Sequence, residues 1–305
     1  MLTTNKTKTL IGVSLKDKSQ VVEKKIYYKD IEDVIKETKD LQPPKSDVKT
    51  LPPNPKKAKY ESILEDDEKD KALEEKKMFR EYIAPEGQHC EPFYRANERI
   101  TMFIPGPQNC GKSYFISEFL DEYKVFHPKR PIYLLTGLDE NDKHFERHNL
   151  RKILMDTETL GSLSLEELRT DDETGKRLGC LLIFDDTDRI PNKGLIKKVY
   201  DLMGMALSTG RDHKTQNGDA DIDVIITNHE INDYLRTKNI LTECNYMVLF
   251  PMCSLKKQMD YCLEKVGMDK PMKEQIIKYN KSRSLIIHKT YPFYCITLDK
   301  IFLIK

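Results

Sequence analysis

The clearest chemical pattern in the chain is a glycine-rich loop that ends in lysine and serine. Residues 106–113 read Gly-Pro-Gln-Asn-Cys-Gly-Lys-Ser and match the spacing G-x-x-x-x-G-K-[ST]. In such a loop the backbone N–H groups surround an anion, the lysine reaches the terminal phosphates, and the hydroxyl reaches Mg²⁺. The pattern therefore predicts a binding site for a nucleoside triphosphate, with ATP as the expected nucleotide and Mg²⁺ as its ion.

The residues expected at the phosphates are those of the loop and the residue after it. They are Gly106, Pro107, Gln108, Asn109, Cys110, Gly111, Lys112, Ser113 and Tyr114. Lys112 is predicted to act on the reacting phosphate, and Ser113 is predicted to be a ligand of Mg²⁺.

A second pattern places two acids directly after an apolar run. Residues 180–186 read Cys-Leu-Leu-Ile-Phe-Asp-Asp, and open α/β sheets bind ligands at the carboxyl ends of their strands. We expect Asp185 to hold the metal, directly or through water, and Asp186 to polarise the attacking water. For Asp188 we expect a turn or the cap of the helix after Pro191.

A third pattern is the apolar run 224–227, which ends in polar residues. If its strand neighbours the acidic one, Thr227 or Asn228 could hydrogen-bond the γ-phosphate or the water, and Asn228 is taken as the candidate catalytic residue. His229 could do the same or cap the next helix.

An arginine that could complete the site precedes this run. Arg211 stands in the segment Gly-Arg-Asp-His at 210–213. An arginine supplied by a neighbouring subunit meets the negative charge that develops during phosphoryl transfer. A solvated surface arginine is the alternative, and Arg236 is the second candidate.

The elements that must position these residues are short apolar strands. They alternate with amphipathic segments, which predicts βαβ crossovers and an α/β fold with a mainly parallel central sheet. The expected strands are Ile100–Ile104, Pro131–Leu135, Leu181–Phe184, Val224–Thr227, Tyr246–Phe250 and Leu285–His288, and a helix is expected from Tyr114.

The first 85 residues differ from the rest. Prolines and lysines over 41–59 predict an extended linker, residues 60–83 predict a polar helix, and residues 25–28 could form a strand or a docking peptide. We expect 1–85 to be a partly disordered or helical appendage and 86–305 to be the ATPase domain.

Net charge, cysteine spacing and hydropathy limit the kinds of partner and location that are expected. The net charge is +1, so any DNA contact must come from local basic patches. Seven scattered cysteines without metal spacing predict reduced thiols inside a cell. No apolar run reaches the ~18 residues of a membrane span, and the N-terminus lacks an apolar signal core.

Together the three motifs resemble the genome-packaging ATPases of large double-stranded DNA viruses and virophages, in the FtsK–HerA lineage. The resemblance covers roughly residues 95–251. It implies a RecA-like core, a homo-oligomeric ring, and ATP-driven movement of duplex DNA into a preformed capsid, with a capsid vertex or portal protein as partner. In this sequence Asp212 separates Arg211 from His213, and Asn228 stands where many relatives carry Gln.

The expected function is thus a Mg²⁺-dependent ATPase that translocates duplex DNA. It would act in the cytoplasmic virus factory of the host cell or with the virion, without a membrane partner. Its contacts to DNA would be to the backbone and independent of base sequence. The candidate contacts are Lys193, Lys197, Lys198 and Lys214, and for each of them a solvated surface lysine is the alternative.

Three other functions share the phosphate loop. A nucleoside or small-molecule kinase would add clustered lid arginines, which the sequence lacks. An assembly protein that holds ATP as a structural ligand would not need Asp186. A GTPase is disfavoured because residues 192–195 lack the Asp of an Asn-Lys-x-Asp motif.

Overall fold

The structure is a computed structural model of the 305-residue chain. It describes residues 2–3, 9–16, 22–28, 81–86, 88–92, 94, 98–137, 142–170, 174–190, 192–211, 221–229, 231, 234–279 and 283–304. The predicted linker over 41–59 and the predicted helix up to residue 80 lie outside these ranges, as do Asp212, His213 and Lys214.

The strands are mostly short. In chain order they are β1 (Leu2–Thr3), β2 (Thr9–Lys16), β3 (Val22–Tyr28), β4 (Glu81–Ile83), β5 (Gln88–Pro92), β6 (Thr101–Pro105), β7 (Ile132–Thr136), β8 (Arg151–Leu154), β9 (Cys180–Asp185), β10 (Ile222–Asn228), β11 (Tyr246–Leu249), β12 (Leu285–His288), β13 (Tyr294–Ile296) and β14 (Lys300–Leu303).

The helices follow the strands of the second half. They are α1 (Lys112–Phe126), α2 (Thr157–Ser162), α3 (Leu165–Leu168), α4 (Lys193–Thr209), α5 (Tyr234–Glu243), α6 (Lys256–Lys265) and α7 (Lys270–Tyr279), with a 3₁₀ turn over Thr187–Arg189.

The chain divides into two compact units. One comprises Met1–Phe93 with Asp299–Leu303, and the other comprises Tyr94–Leu298 with Ile304–Lys305. The first unit contains an antiparallel sheet in the order β1-β3-β2-β5, and it also contains β4 and β14, which pair antiparallel. The boundary predicted at residue 85 stays a prediction.

The second unit is built on one sheet in the order β13-β12-β11-β6-β10-β9-β7-β8. The run from β11 to β8 is parallel, and β12 and β13 continue it antiparallel. Strand β10 lies between β6, which leads into the phosphate loop, and β9, which ends in the paired acids. The predicted α/β class with a mainly parallel sheet is confirmed.

The central strands form because their residues are apolar on both faces, as in a sheet covered by helices on each side. Every residue of β6, β7 and β10 is buried. Helix α1 packs through Ile116, Phe119, Leu120 and Tyr123, the i, i+3, i+4, i+7 spacing of one helical face. This face holds the start of α1 at the carboxyl end of β6.

Several strands were not predicted from the sequence. Strand β8 was not expected, and neither were β13, β14 and the strands β1 and β2 of the first unit. Glu81–Ile83 form a strand, whereas the polar pattern predicted the end of a helix there; this prediction was wrong.

Asp188 was expected in a turn or as the cap of the helix after Pro191. It lies in the 3₁₀ turn, and the cap of α4 is Asn192, whose side-chain oxygen accepts hydrogen bonds from the N–H groups of Gly194 and Leu195.

Among the described residues, none of the helices is long and apolar enough to cross a membrane. All seven cysteines are free thiols, and all but Cys253 are buried.

Candidate nucleotide site

The phosphate loop connects β6 to α1 and curls tightly. Gly106 donates its N–H to the carbonyl of Asn228 at 2.9 Å, which fixes the start of the loop on β10. Asn109 and Gly111 both have positive φ angles, 61° and 108°. Gly111 is the N-cap of α1, and no side chain caps this helix. The first N–H groups of α1 therefore have no intrahelical partner and can bind an anion.

Lys112 connects the loop to the acidic strand. Its side chain is 9% exposed, and its ammonium lies 3.9 Å from Oδ1 of Asp186. The same ammonium donates to the carbonyls of Gly106 at 2.9 Å and Pro107 at 3.3 Å. The first two sequence motifs thus meet in space, as their chemistry requires.

The two acids are held by a threonine from the neighbouring strand. The Thr227 hydroxyl donates to Oδ1 of Asp185 at 2.8 Å and accepts the N–H of Asp186 at 2.9 Å. Asp186 adopts the left-handed conformation, with φ of 50°. This conformation is uncommon for a residue other than glycine, and such residues concentrate at functional sites.

The environment of Asp185 favours its protonated form. Burial, followed by the charge of Asp186, raises its pKa to about 6, although the Thr227 hydroxyl and Lys112 act in the opposite direction. A carboxylate that is costly to ionise inside a protein is stabilised by a nearby cation. Asp185 is therefore suited to hold a metal ion.

His229 contacts the acid pair of the site. Its Nε2 donates to Oδ2 of Asp186 at 2.7 Å, and its backbone N–H donates to Oδ2 of Asp188 at 2.8 Å. Its Nδ1 is buried and has no hydrogen-bond partner among the described residues. His229 thus holds the acid predicted to polarise water.

The side chain of Asn228 contacts Thr187 and Tyr200 and not the paired acids. Its side-chain oxygen accepts from the Thr187 hydroxyl at 2.9 Å, and its amide nitrogen lies 3.4 Å from the Tyr200 hydroxyl. The predicted contact of Asn228 with the γ-phosphate stays a prediction.

Arg211 lies far from the phosphate loop of its own chain. It is exposed and follows Gly210, whose carbonyl accepts from Ile222 at the first residue of β10. The loop is attached to the last residue of this seven-residue strand, about 20 Å away at 3.3 Å per residue. Arg211 therefore cannot serve its own site, and a role in a neighbour's site and a solvated surface arginine both stay predictions. The side chain of Arg236 lies outside the described part of the chain.

Arg283 was not identified from the sequence. Its Nε donates to the carbonyl of Cys110 at 3.1 Å. A Cβ at Gly111 would lie 2.9 Å from its guanidinium carbon, so a larger residue would displace the Arg283 side chain, and the φ of 108° separately disfavours any residue other than glycine. No sequence signal could have found it, because the contact joins residues 173 positions apart.

The site suits a magnesium–nucleotide pair. Mg²⁺ prefers oxygen ligands and typically binds through one or two carboxylates together with phosphate oxygens. Asp185 and the Ser113 hydroxyl provide such oxygens. Among the described residues there is no group of three or more His, Cys, Asp or Glu that could hold a metal by itself.

No model of a protein family matches the chain. Uncharacterized protein V3 of the Sputnik virophage is 28% identical over 219 residues, which cover 70% of this chain and 80% of that protein.

Several solved structures also match the chain. The genome packaging NTPase B204 of Sulfolobus turreted icosahedral virus 2 is 13% identical, with a TM-score of 0.42 over 64% of this chain and 96% of that one. The pCW3 conjugation coupling protein TcpA is 8% identical, with a TM-score of 0.41 over 74% and 66% of the two chains. The type VII secretion ATPase EccC of Thermomonospora curvata is 11% identical, with a TM-score of 0.40 over 68% and 27%. The resemblance stated from the motifs is supported by the sequence similarity to the virophage protein.

Proposed function

We propose that the chain is an ATP-hydrolysing motor that translocates duplex viral DNA into a preformed capsid. The observation that carries the proposal is the meeting of Lys112 and Asp186, 3.9 Å apart, at the phosphate loop. A loop with its lysine is sufficient to bind nucleotide. Hydrolysis also needs an acid that acts on water, and Asp186 is available for this, held by His229 and Thr227.

The proposed reaction is an in-line attack of water on the γ-phosphorus. The bond from the water oxygen to phosphorus forms as the bond to the β–γ bridging oxygen breaks, and ADP leaves. Asp186 accepts the hydrogen bond of the attacking water and so orients it. Lys112 and the N–H groups at the start of α1 stabilise the negative charge of the phosphates.

Asp185 and Ser113 are the residues that would hold Mg²⁺ in this reaction. When bound, the ion neutralises charge on the β- and γ-phosphate oxygens. The Thr227 hydroxyl keeps Asp185 in its orientation, at 2.8 Å.

The position of Arg211 supports a ring. An exposed arginine remote from its own phosphate loop would act on a neighbouring subunit, and such a role would need a homo-oligomer. We further propose contacts with the DNA backbone, a capsid vertex or portal protein as partner, and action in the cytoplasmic virus factory or the virion. The similarity to a virophage protein supports the viral setting.

The test is phosphate release by the purified chain, measured with and without duplex DNA. We expect turnover that rises with DNA and falls at least about a hundredfold in Lys112→Ala and Asp186→Asn, the scale of removing one group that stabilises the transition state. Asp201→Asn, a change of an exposed acid on α4, is the matched control and should retain activity.

Two outcomes would change the proposal. Transfer of the phosphate to a nucleoside instead of water would indicate a kinase. Nucleotide binding without turnover, with or without DNA, would indicate an assembly protein that uses ATP as a structural ligand. For the ring, mixing Arg211→Ala subunits with wild-type subunits should lower turnover more than dilution alone.

A further inference from the structure

A basic cavity lies in the second unit, at the edge of the sheet opposite the phosphate loop. Its volume is about 680 Å³. It is bordered by the first residues of β7 and β8 and by the last turn of α1, so it lies at the amino ends of the parallel strands. Its cationic lining residues are Lys124, Lys129, Arg130 and Arg151. No acidic side chain is among the described residues that line it.

The two lysines are available for a ligand. Lys124 is half-buried in the last turn of α1, and Lys129 is exposed in the turn that follows. Neither forms an ion pair with another residue in the described part of the chain. An uncompensated pair of cations in a concave surface concentrates the positive potential there.

The two arginines are held in place by their own partners. Nη1 of Arg130 lies 2.8 Å from Oδ2 of the buried Asp223. Arg151 donates to the Tyr133 hydroxyl at 3.2 Å, and its guanidinium lies 5.7 Å from the centre of the Tyr133 ring. These contacts orient the guanidinium groups before any ligand binds, which lowers the entropic cost of binding.

We propose that this cavity binds the phosphodiester backbone of duplex DNA; this inference rests on the proposed motor function. The two lysines carry positive charge that no acid in the described part of the chain pairs with, and this favours an anion as the ligand. The other lining residues are aliphatic or small and polar, such as Asn149 and Thr170. They include no aromatic ring on which a base could stack. Cations and neutral donors bind phosphate oxygens without reading the base sequence.

The position of the cavity connects it to the nucleotide site. Helix α1 begins with Lys112 at the phosphate loop and carries Lys124 in its last turn. Tyr123 of this helix donates to Asp223 at 2.7 Å. Asp223 lies on β10, whose other end carries Thr227. A phosphate bound in the cavity would therefore act on the same helix and strand that hold the nucleotide site.

The test is the binding of a fluorescently labelled duplex to the full chain, followed by anisotropy over a range of salt concentrations. The variant is K124E/K129E. The control is K256E/K257E, which reverses two exposed lysines at the start of α6. Thermal unfolding of each variant checks the fold.

We expect K124E/K129E to weaken duplex binding by at least about tenfold and to lower the slope of log K against log salt by about 2, close to 0.9 for each lost phosphate contact. The control should keep the wild-type slope. Equal losses in both variants would assign the effect to net charge and overturn the proposal.

Other results separate this inference from the proposed function. Unchanged duplex binding in K124E/K129E would overturn the cavity while leaving the motor intact. A wild-type chain that hydrolyses ATP but binds no duplex would overturn both. Weaker binding of tripolyphosphate by the variant, with unchanged duplex binding, would overturn the assignment of the cavity to DNA.

Discussion

Binding of the magnesium–nucleotide pair should depend on pH through Asp185. Burial and the charge of Asp186 raise the pKa of Asp185 to about 6. A protonated carboxyl group is a poor ligand for Mg²⁺, so only the ionised fraction of the protein can hold the ion through Asp185. The affinity measured for the pair should fall as the pH falls through this pKa.

The size of the effect follows from the pKa. With a pKa of about 6, roughly nine-tenths of the Asp185 side chains are ionised at pH 7 and roughly one-tenth at pH 5. The apparent dissociation constant increases in inverse proportion to the competent fraction. We therefore expect Mg–ATP to bind about tenfold more weakly at pH 5 than at pH 7, with little change between pH 7 and pH 8.

The assay is titration of the chain with a fluorescent ATP analogue between pH 5 and pH 8, with and without Mg²⁺. Asp185→Asn is the control because it keeps the shape of the side chain and does not titrate. Its affinity for the Mg–nucleotide pair should be weaker at pH 7 and independent of pH after subtraction of the metal-free curve. The reasoning is refuted if wild type and Asp185→Asn show the same pH dependence.

The same pKa predicts the stability of the chain without nucleotide. The folded pKa of about 6 lies above the usual aspartate pKa of 3.8, so the folded state binds the proton more tightly than the unfolded state does. The contribution of Asp185 to stability is thus present below about pH 4 and is lost as the pH rises through about 6. Asp185→Asn should be more stable at pH 7 by on the order of 2 to 3 kcal/mol, and this difference should vanish near pH 4 in urea unfolding.

Three further changes test the surrounding contacts. His229→Ala should lower kcat for phosphate release by about tenfold or more while the nucleotide Kd changes little; an equal effect on both would show that His229 serves binding. Arg283→Ala should weaken nucleotide binding by about three- to tenfold because it removes a cation beside the phosphate loop. The control is Arg147→Ala, which removes an arginine on the surface and should leave nucleotide binding unchanged. Asp223→Asn leaves Arg130 without its buried partner and should cost about 3 kcal/mol of stability in urea unfolding, and an unchanged midpoint would contradict this account of the network.

The central sheet could be predicted because its strands are buried on both faces. Leu285–His288 was predicted with the observed bounds, and the expected runs at 181–184 and 224–227 lie inside β9 and β10. A continuous apolar run leaves little freedom in the choice of element. The hydrophobic pattern also indicated that neighbouring parallel strands would bring their carboxyl ends, and hence the motifs, to one edge.

The missed elements lack such a pattern. Strand β8 has only four residues and none of them is buried, so its sequence does not differ from that of a loop. It forms because β7 offers a free edge for parallel pairing. Arg283 was missed for a related reason: its contact with the phosphate loop depends on tertiary packing rather than on spacing along the chain.

Strand β10 lies at the centre of the site. Its position between β6 and β9 was a condition of the sequence analysis and not a prediction from it. At its carboxyl end, Thr227 contacts Asp185 while the carbonyl of Asn228 anchors the loop at Gly106. A shift of β10 by one residue would turn the Thr227 hydroxyl to the other face of the sheet. Both the acid pair and the loop would then lose their partner at once. At the other end of β10, the buried carboxylate of Asp223 accepts hydrogen bonds from the hydroxyl of Tyr123 on α1 and from the backbone N–H of Ile100. A one-residue shift would leave this carboxylate without these partners inside the protein. Because an unpaired buried charge is costly, Asp223 stabilises the observed register of β10. This register in turn places the phosphate loop beside the paired acids.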